Sequence, residues 1–320
     1  MGYACDRRLP HDDPEETMAD GHETLVLNRK AIDEAEKRGL ANQSLKAAFR
    51  EELTRTIADL DLTSNVAELD MLGYTVIRDA APRAWFNELR AHIVALSEER
   101  RRQGLWGDKR GVFSDTILNC VGKGRVFEEA VLNPKLNALA AYLLGDGYVI
   151  NATNAIIVEQ GAPALPIHSD NAYVPEPFPH WALTFTSVWV TEDLDAERGA
   201  SRVIPGSHHH ARAPKGGEGE DEAVPIDCPA GSVVVWNGAT WHGNCGRNAP
   251  GERVTFHTSM CRMHMKPFAD NASVPQDVVV RNPPLMAQLL GRGLPMGVEG
   301  ESGPDPVLRA HAARLAARRL

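Results

Sequence analysis

Apolar residues recur every third or fourth position through the early part of the chain, and after about residue 145 the spacing changes to strand-like runs. Leu45, Phe49, Leu53, Ile57 and Leu60 share one stripe, which predicts a helix from about residue 42 to 60. Pro82 suits a first helical turn, where its missing N–H has no partner to lose, and Trp85, Leu89, Ile93 and Leu96 line one face behind it. A shorter helix is expected near Pro134 to Leu144, closed by Gly145, a residue suited to helix C-termini. Strand-like runs follow at Tyr148–Glu159, Leu183–Thr191, Ser232–Asn237 and Arg253–Arg262, separated by Gly/Pro/Asn segments. Helices first and many strands afterwards predict a mainly β fold with flanking helices. The expected core is a double-stranded β-helix, or jelly roll, buttressed by helices on one sheet.

The last strand offers an internal check. Arg253, Thr255, His257 and Ser259 occupy its odd positions, whereas Val254, Phe256 and Met260 occupy even ones. Alternation puts the polar set on one face and most of the apolar set on the other. If Arg253 faces the barrel lumen, the lumen is polar and the apolar face packs under the helices.

Composition narrows the function classes. Charged residues make up 24% and hydrophobic residues 43% of the 320, as in an ordinary globular protein. A net charge of −9 without a basic stripe argues against nucleic acid as a partner. Cys5, Cys120, Cys228, Cys245 and Cys261 are scattered, with no C-x-x-C pair, which fits reduced thiols and a cytoplasmic location. The N-terminus is acidic and lacks an apolar core, so no signal peptide is expected. No run approaches the roughly 20 apolar residues of a membrane span, and no membrane partner is expected. The expected organisation is a flexible arm over 1–22, a helical extension over 23–66, the jelly-roll domain over 67–268 and a partly helical C-terminal extension over 269–320. The basic end of that extension could cover the barrel mouth, dock a second subunit or simply fray, so a homo-oligomer is one expectation.

The chemistry concentrates in three places. His168 and Asp170 stand two apart, and on an extended chain such residues project to one face. Both could share a metal ion, with His242 from a distant strand completing the set. Two histidines and one carboxylate leave three positions open on an octahedral ion, as non-haem Fe(II) oxygenases require. Arg253 lies eleven residues beyond His242, after the turn-forming stretch Gly243–Glu252. A guanidinium opening the next strand beside the metal can grip a carboxylate bidentately. An H-x-D triplet alone is weak evidence, and the residues themselves also admit a non-catalytic jelly-roll binder of metal or ligand. A zinc hydrolase would want a general base near the metal, and no clear candidate stands there.

Taken together, the motifs resemble the phytanoyl-CoA dioxygenase family of Fe(II)/2-oxoglutarate-dependent oxygenases over roughly residues 68–265. Leu72–Asp79 is similar to the family's opening strand, His168-Ser-Asp170 to its first metal pair and Arg198–His208 to its Pro-Gly-Ser-His motif. Ala230–Trp236 is similar to the strand that leads to the distal histidine, and His242 with Arg253 completes the set. The resemblance implies His168, Asp170 and His242 as iron ligands and Arg253 as partner of the 2-oxoglutarate C5 carboxylate. It sets Ser201 where many relatives carry a cosubstrate-touching threonine. Pro166 stands where relatives often place a polar group, so a further contact must come from elsewhere, with Asn151 and Asn154 as candidates. The implied cofactors are Fe(II), 2-oxoglutarate and O2. The implied reaction is hydroxylation of an unactivated C–H bond in a small-molecule substrate, with release of succinate and CO2; desaturation or cyclisation on the same iron is the alternative. Related halogenases replace the carboxylate by a small residue, so Asp170 argues against halogenation.

Four further segments carry expectations. His208-His-His210 reads as structural rather than metal-binding. His257, in the lumen, reads as a core hydrogen-bonding residue before a cosubstrate contact. Tyr173–Trp181 could form a rim over the site. Residues 211–225 read as an exposed acidic loop.

Overall fold

The computed structural model describes residues 47, 49–107, 111 and 113–292. The expected N-terminal arm and the basic end of the C-terminal extension lie outside them. The chain divides into Met1–Thr54 and Arg55–Leu320, and the site belongs wholly to the second unit. The helix expected over 42–60 is helical through its described part, 49–59 (α1).

Helix α2 (Thr63–Leu72) stops at Gly73, whose φ of +80° is left-handed. A side chain there would also collide with Thr240 and His208, so the turn into β1 (Tyr74–Ile77) requires glycine. Helix α3 (Arg83–Arg102) buries Phe86, Leu89, Ile93 and Ser97, a stripe rotated slightly from the expected one through Trp85 and Leu96. The rotation has a polar cause. Ser97 donates to the buried Asp115 carboxylate at 3.0 Å, and Arg100 Nη2 pairs with the same group at 3.1 Å. This ties α3 to β2 (Ser114–Leu118). Two shorter helices follow, α4 (Arg125–Val131) and α5 (Pro134–Leu144). The second begins where Asn133 accepts from the Lys135 and Leu136 N–H groups, and it ends at Gly145 as expected.

The remaining strands are β3 (Val149–Glu159), β4 (Leu165–His168), β5 (Thr184–Val190), β6 (Ser201–Val203), β7 (Val224–Pro225), β8 (Val233–Asn237), β9 (His242–Asn244) and β10 (Glu252–Cys261). They form a major antiparallel sheet, β1-β8-β5-β10-β3-β2, and a minor one, β4-β9-β6-β7. Between them packs an apolar cluster that includes Val188, Val190, Val203, Val234 and Trp236. This is the jelly-roll core. The outer face of the major sheet packs under the helices, with Phe86 5.7 Å from Trp189 and Phe127 5.0 Å from Phe256 between ring centroids. Every position of β5 is buried, because one face meets the helices and the other the lumen. Helices α6 (Gln276–Arg281) and α7 (Leu285–Leu289) follow the barrel, and Arg281 and Asn282 reach the buried Glu128 of α4.

The alternation in β10 matches the reading from sequence. Ser259, His257 and Thr255 stand opposite Thr186, Val188 and Val190, and the two valines belong to the inter-sheet cluster. Phe256, on the other face, is fully buried under α4. Among the described residues no helix is long and apolar enough to cross a membrane.

Truncating Phe256 to Ala is expected to destabilise the fold by about 3–5 kcal/mol, the usual cost of a large cavity in a packed core. Urea unfolding reads this directly. A loss below about 1 kcal/mol would mean that the helix–sheet layer is not the main core.

Candidate metal centre

His168 is the last residue of β4 and His242 the first of β9, and the two are partners in the β4–β9 register. Asp170 follows two residues beyond the end of the strand. One ligand atom from each of the three lies within 4.8 Å of the others. The turn between His168 and Asp170 is locked from below. Buried Ser169 donates to the Gly238 carbonyl at 2.9 Å and accepts the Asn171 N–H at 3.2 Å.

Hydrogen bonds determine which atoms face the centre. His168 Nδ1 lies 2.9 Å from the Pro166 carbonyl, and His242 Nδ1 lies 2.9 Å from the Thr240 carbonyl. A carbonyl only accepts, so Nδ1 carries the proton in both rings and a neutral ring presents a bare Nε2. His242 Nε2 lies 3.6 Å from Asp170 Oδ1. The other carboxylate oxygen, Oδ2, accepts from Thr186 Oγ1 at 2.9 Å and Trp236 Nε1 at 3.1 Å. Asp170 is thereby oriented to offer one oxygen to the centre. The His242 ring sits between Trp236 at 4.5 Å and His168 at 4.3 Å, centroid to centroid.

Electrostatics favour the ionised form of Asp170 and disfavour the charged form of His242. Burial raises the Asp170 carboxyl, but the His242 and His168 charges and the bonds from Trp236 and Thr186 outweigh it, leaving the group below its ordinary value. Burial pushes the His242 imidazole down against the opposing pull of Asp170, and His168 adds to the lowering. An ionised carboxylate beside a His242 imidazole whose charged form burial disfavours is a donor pair suited to a divalent ion. Two nitrogen donors and one oxygen donor, with the remaining positions open, fit Fe(II).

Arg253, 2% exposed, enters the lumen from the second position of β10, and its Nη1 donates to the Gly199 carbonyl. Ser201, two residues on, is buried at the start of β6 and pairs in register with Asn244 of β9. Asn244 Nδ2 donates to Ser201 Oγ at 3.2 Å. Asn244 escaped the sequence reading, although its place two residues from His242 on a strand already set it on the ligand face. Thr186 and Trp236 also escaped it, because nothing local announces a partner 16 or 66 residues away. Along β10, His257 and Thr255 line the lumen between Ser259 and Arg253, and Thr255 Oγ1 lies 3.1 Å from His257 Nε2.

The other candidates are placed as follows. Asn151 is buried, donates from Nδ2 to Ser259 Oγ at 3.2 Å and accepts the Phe268 N–H at 3.1 Å, so it latches the segment after β10 to the start of β3. Asn154 stands opposite His257 in the β3–β10 register. His208 lies 3.2 Å from the Asp70 carbonyl through Nε2 and stacks on His209. Tyr173, 65% exposed, meets the equally open Phe268 edge to face at 5.1 Å. Burial and the Asp170 charge both raise the Tyr173 hydroxyl, which places it within the field of the centre. The acidic loop is exposed at 215–217, 221 and 222 as expected, but Glu218 pairs with Arg212, Glu220 with Arg202, and Gly219 is buried. An opposite charge on β6, Arg202, draws Glu220 toward the sheet.

The sequence model of the family described as "Phytanoyl-CoA dioxygenase (PhyH)" matches residues 69–251. "Dioxygenase af480" of Aspergillus fumigatus is 29% identical over 175 residues, covering 51% of this chain and 54% of that protein. "Iron/alpha-ketoglutarate-dependent dioxygenase okaE" of Penicillium ochrochloron is 28% identical over 156 residues, 46% of this chain and 50% of that protein. The chain spans about half the length of these curated relatives. HygX from Streptomyces hygroscopicus, in a crystal structure with nickel and 2-oxoglutarate bound, superimposes with a TM-score of 0.51 at 12% identity, covering 65% of this chain and 89% of that one. At that identity the likeness speaks for the fold.

Asp170→Ala is expected to abolish tight Fe(II) binding. Thr186→Val, which removes one hydroxyl donor from the carboxylate, is expected to weaken binding about tenfold. Anaerobic equilibrium dialysis reads both, and undiminished affinity in the alanine variant would remove Asp170 from the ligand set.

Proposed function

The chain belongs to the phytanoyl-CoA dioxygenase family, and from that premise we propose that it is an Fe(II)- and 2-oxoglutarate-dependent dioxygenase that hydroxylates an unactivated C–H bond of a small organic molecule. The observation that carries the reading is the convergence of His168, Asp170 and His242, with their Nδ1 and Oδ2 atoms already occupied and their remaining donor atoms facing one another. Bound iron would supply O2 activation coupled to oxidative decarboxylation of 2-oxoglutarate to succinate and CO2.

The chain's own residues then divide the work. His168 Nε2, His242 Nε2 and one Asp170 oxygen hold the iron. Arg253, anchored on the Gly199 carbonyl, receives the C5 carboxylate of 2-oxoglutarate, and the Ser201 hydroxyl stands on the same inner face to add a hydrogen bond. Asn244 orients that hydroxyl by donating to its oxygen, which leaves the Ser201 proton free to turn toward a carboxylate. His257 and Thr255 supply polar wall between the two ends of the cosubstrate. Beside them on the same face of the major sheet, Val188, Val234 and Trp236 make the wall apolar and exclude water around the reacting centre. Tyr173 and Phe268 form the rim on which a substrate with apolar surface rests. The described cysteines are all free thiols, which supports a reducing, cytoplasmic setting.

The decisive experiment measures succinate formed by iron-loaded protein given 2-oxoglutarate and air, with and without a panel of small molecules. Turnover is expected in the wild type and absent in His242→Ala; equal rates in both would sink the proposal. For any panel member that accelerates succinate release, mass spectrometry of the product should show the gain of one oxygen atom, whereas loss of two hydrogens would mean desaturation.

Two variants test the division of roles. Arg253→Ala is expected to raise the 2-oxoglutarate KM at least tenfold, since a charge-assisted hydrogen bond contributes about 1.5–3 kcal/mol. An unaltered KM would move the carboxylate clamp elsewhere. Phe268→Ala is expected to raise the KM of an accelerating substrate about tenfold while leaving the 2-oxoglutarate KM alone, the loss from a buried aromatic contact being about 1.5–3 kcal/mol. Equal substrate KM in variant and wild type would exclude the rim.

A further inference from the structure

Strand β4, which carries His168, lies at the edge of the minor sheet and is irregular. Leu165 pairs with Asn244 and His168 with His242, so three steps along β4 match two along β9. Such a bulge re-aims a side chain. Here it sets His168 on the same face as Leu165's position beside Asn244, turned into the lumen; regular alternation over three steps would have turned it out. The bulged residues are Pro166, which has no N–H, and Ile167, whose N–H the ladder leaves over.

That leftover N–H is taken by a carboxylate from far along the chain. Glu220 Oε1 accepts the Ile167 N–H at 2.8 Å, and Glu220 Oε2 forms an ion pair with Arg202 of β6. Arg202 Nη2 in turn reaches the Leu165 carbonyl at 3.4 Å, on the other side of the bulge. The reach depends on a missing side chain. Arg202 stands opposite Gly243 in register, and a Cβ on Gly243 would lie 2.5 Å from the Leu165 carbonyl oxygen and 3.1 Å from that of Pro166. The bulge therefore lies directly over Gly243. Gly219, beside Glu220, is itself packed on Ile167 and Ile204.

We propose that Glu220, with Arg202, is a positioning residue for the metal site: its carboxylate clasps the β4 bulge and so holds His168 turned toward the iron. Glu220 of the acidic segment is then a part of the site's architecture, its carboxylate engaged by one backbone N–H and one guanidinium. The proposal rests on the metal-centre reading above and adds a residue that touches neither metal nor substrate.

Anaerobic Co(II) titration of the full-length protein tests it, with the d–d absorption band reporting both affinity and coordination geometry. Glu220→Ala is expected to weaken Co(II) binding about 10–100-fold and to change the band, as loss of an outer support of a ligand does. Glu218→Gln, in the same loop but paired with Arg212, is expected to bind as the wild type does. Wild-type affinity and spectrum in Glu220→Ala would overturn the proposal, as would equal weakening by both variants, which would mean general loosening of the loop. If the alanine variant does not fold, Glu220→Gln keeps an acceptor for Ile167 but loses the charge facing Arg202. Its expected effect is a several-fold weakening of Co(II) binding that Glu220→Asp relieves, and an unchanged affinity overturns the proposal. Wild-type protein that takes up no Co(II) would defeat the metal-centre reading itself, a result distinct from any difference among variants.

Discussion

The site depends on keeping one carboxylate ionised in a largely desolvated cleft. Burial alone raises the Asp170 carboxyl and works against its anionic form. Two imidazoles and two hydrogen-bond donors reverse that tendency, and each arrives from a different strand: His168 from β4, His242 from β9, Thr186 from β5 and Trp236 from β8. The barrel has to bring both sheets together before the carboxylate is tolerable at all. Fold and site are therefore one problem in electrostatics, since a sheet displaced by a single register step would strand the charge.

The two faces of the major sheet divide the remaining labour. Its outer face buries aromatic rings under α3 and α4. Its inner face is freed for polar residues, because stability does not depend on making the lumen wholly apolar. Arg253 can consequently sit 2% exposed inside the barrel, held by a backbone carbonyl, and still present a charge to a ligand. The minor sheet contributes little area. It contributes position, through short strands whose irregularities are held by side chains from the connecting loops.

Much of this was legible in the chain itself. Period-two alternation in Arg253–Ser259 assigned the lumen face correctly because a strand's side-chain direction is a local property. The helix near Pro134 to Leu144 was legible because its Gly145 stop acts within one turn, and the structure adds the Asn133 cap at its start. His168 and Asp170 could be paired for the same reason of local geometry, and the turn formers after His242 announced the approach of Arg253.

What the sequence determined, then, was everything that follows from neighbours a few residues apart: element type, strand facing, turns and the identity of the donor groups. Tertiary structure alone decided which distant groups complete them. Thr186 and Trp236 on the Asp170 carboxylate, Asn244 on Ser201, and Glu220 on the Ile167 N–H are meetings across 16 to 66 residues that no periodicity encodes. The acidic loop shows the difference most plainly. As sequence it is a run of charges that water would welcome, and only the bulge in β4, with one N–H left over and an arginine reaching across Gly243, creates a partner strong enough to draw it in. Such partners exist only once the strands have paired, because a backbone group is left over only relative to the ladder that passes it by.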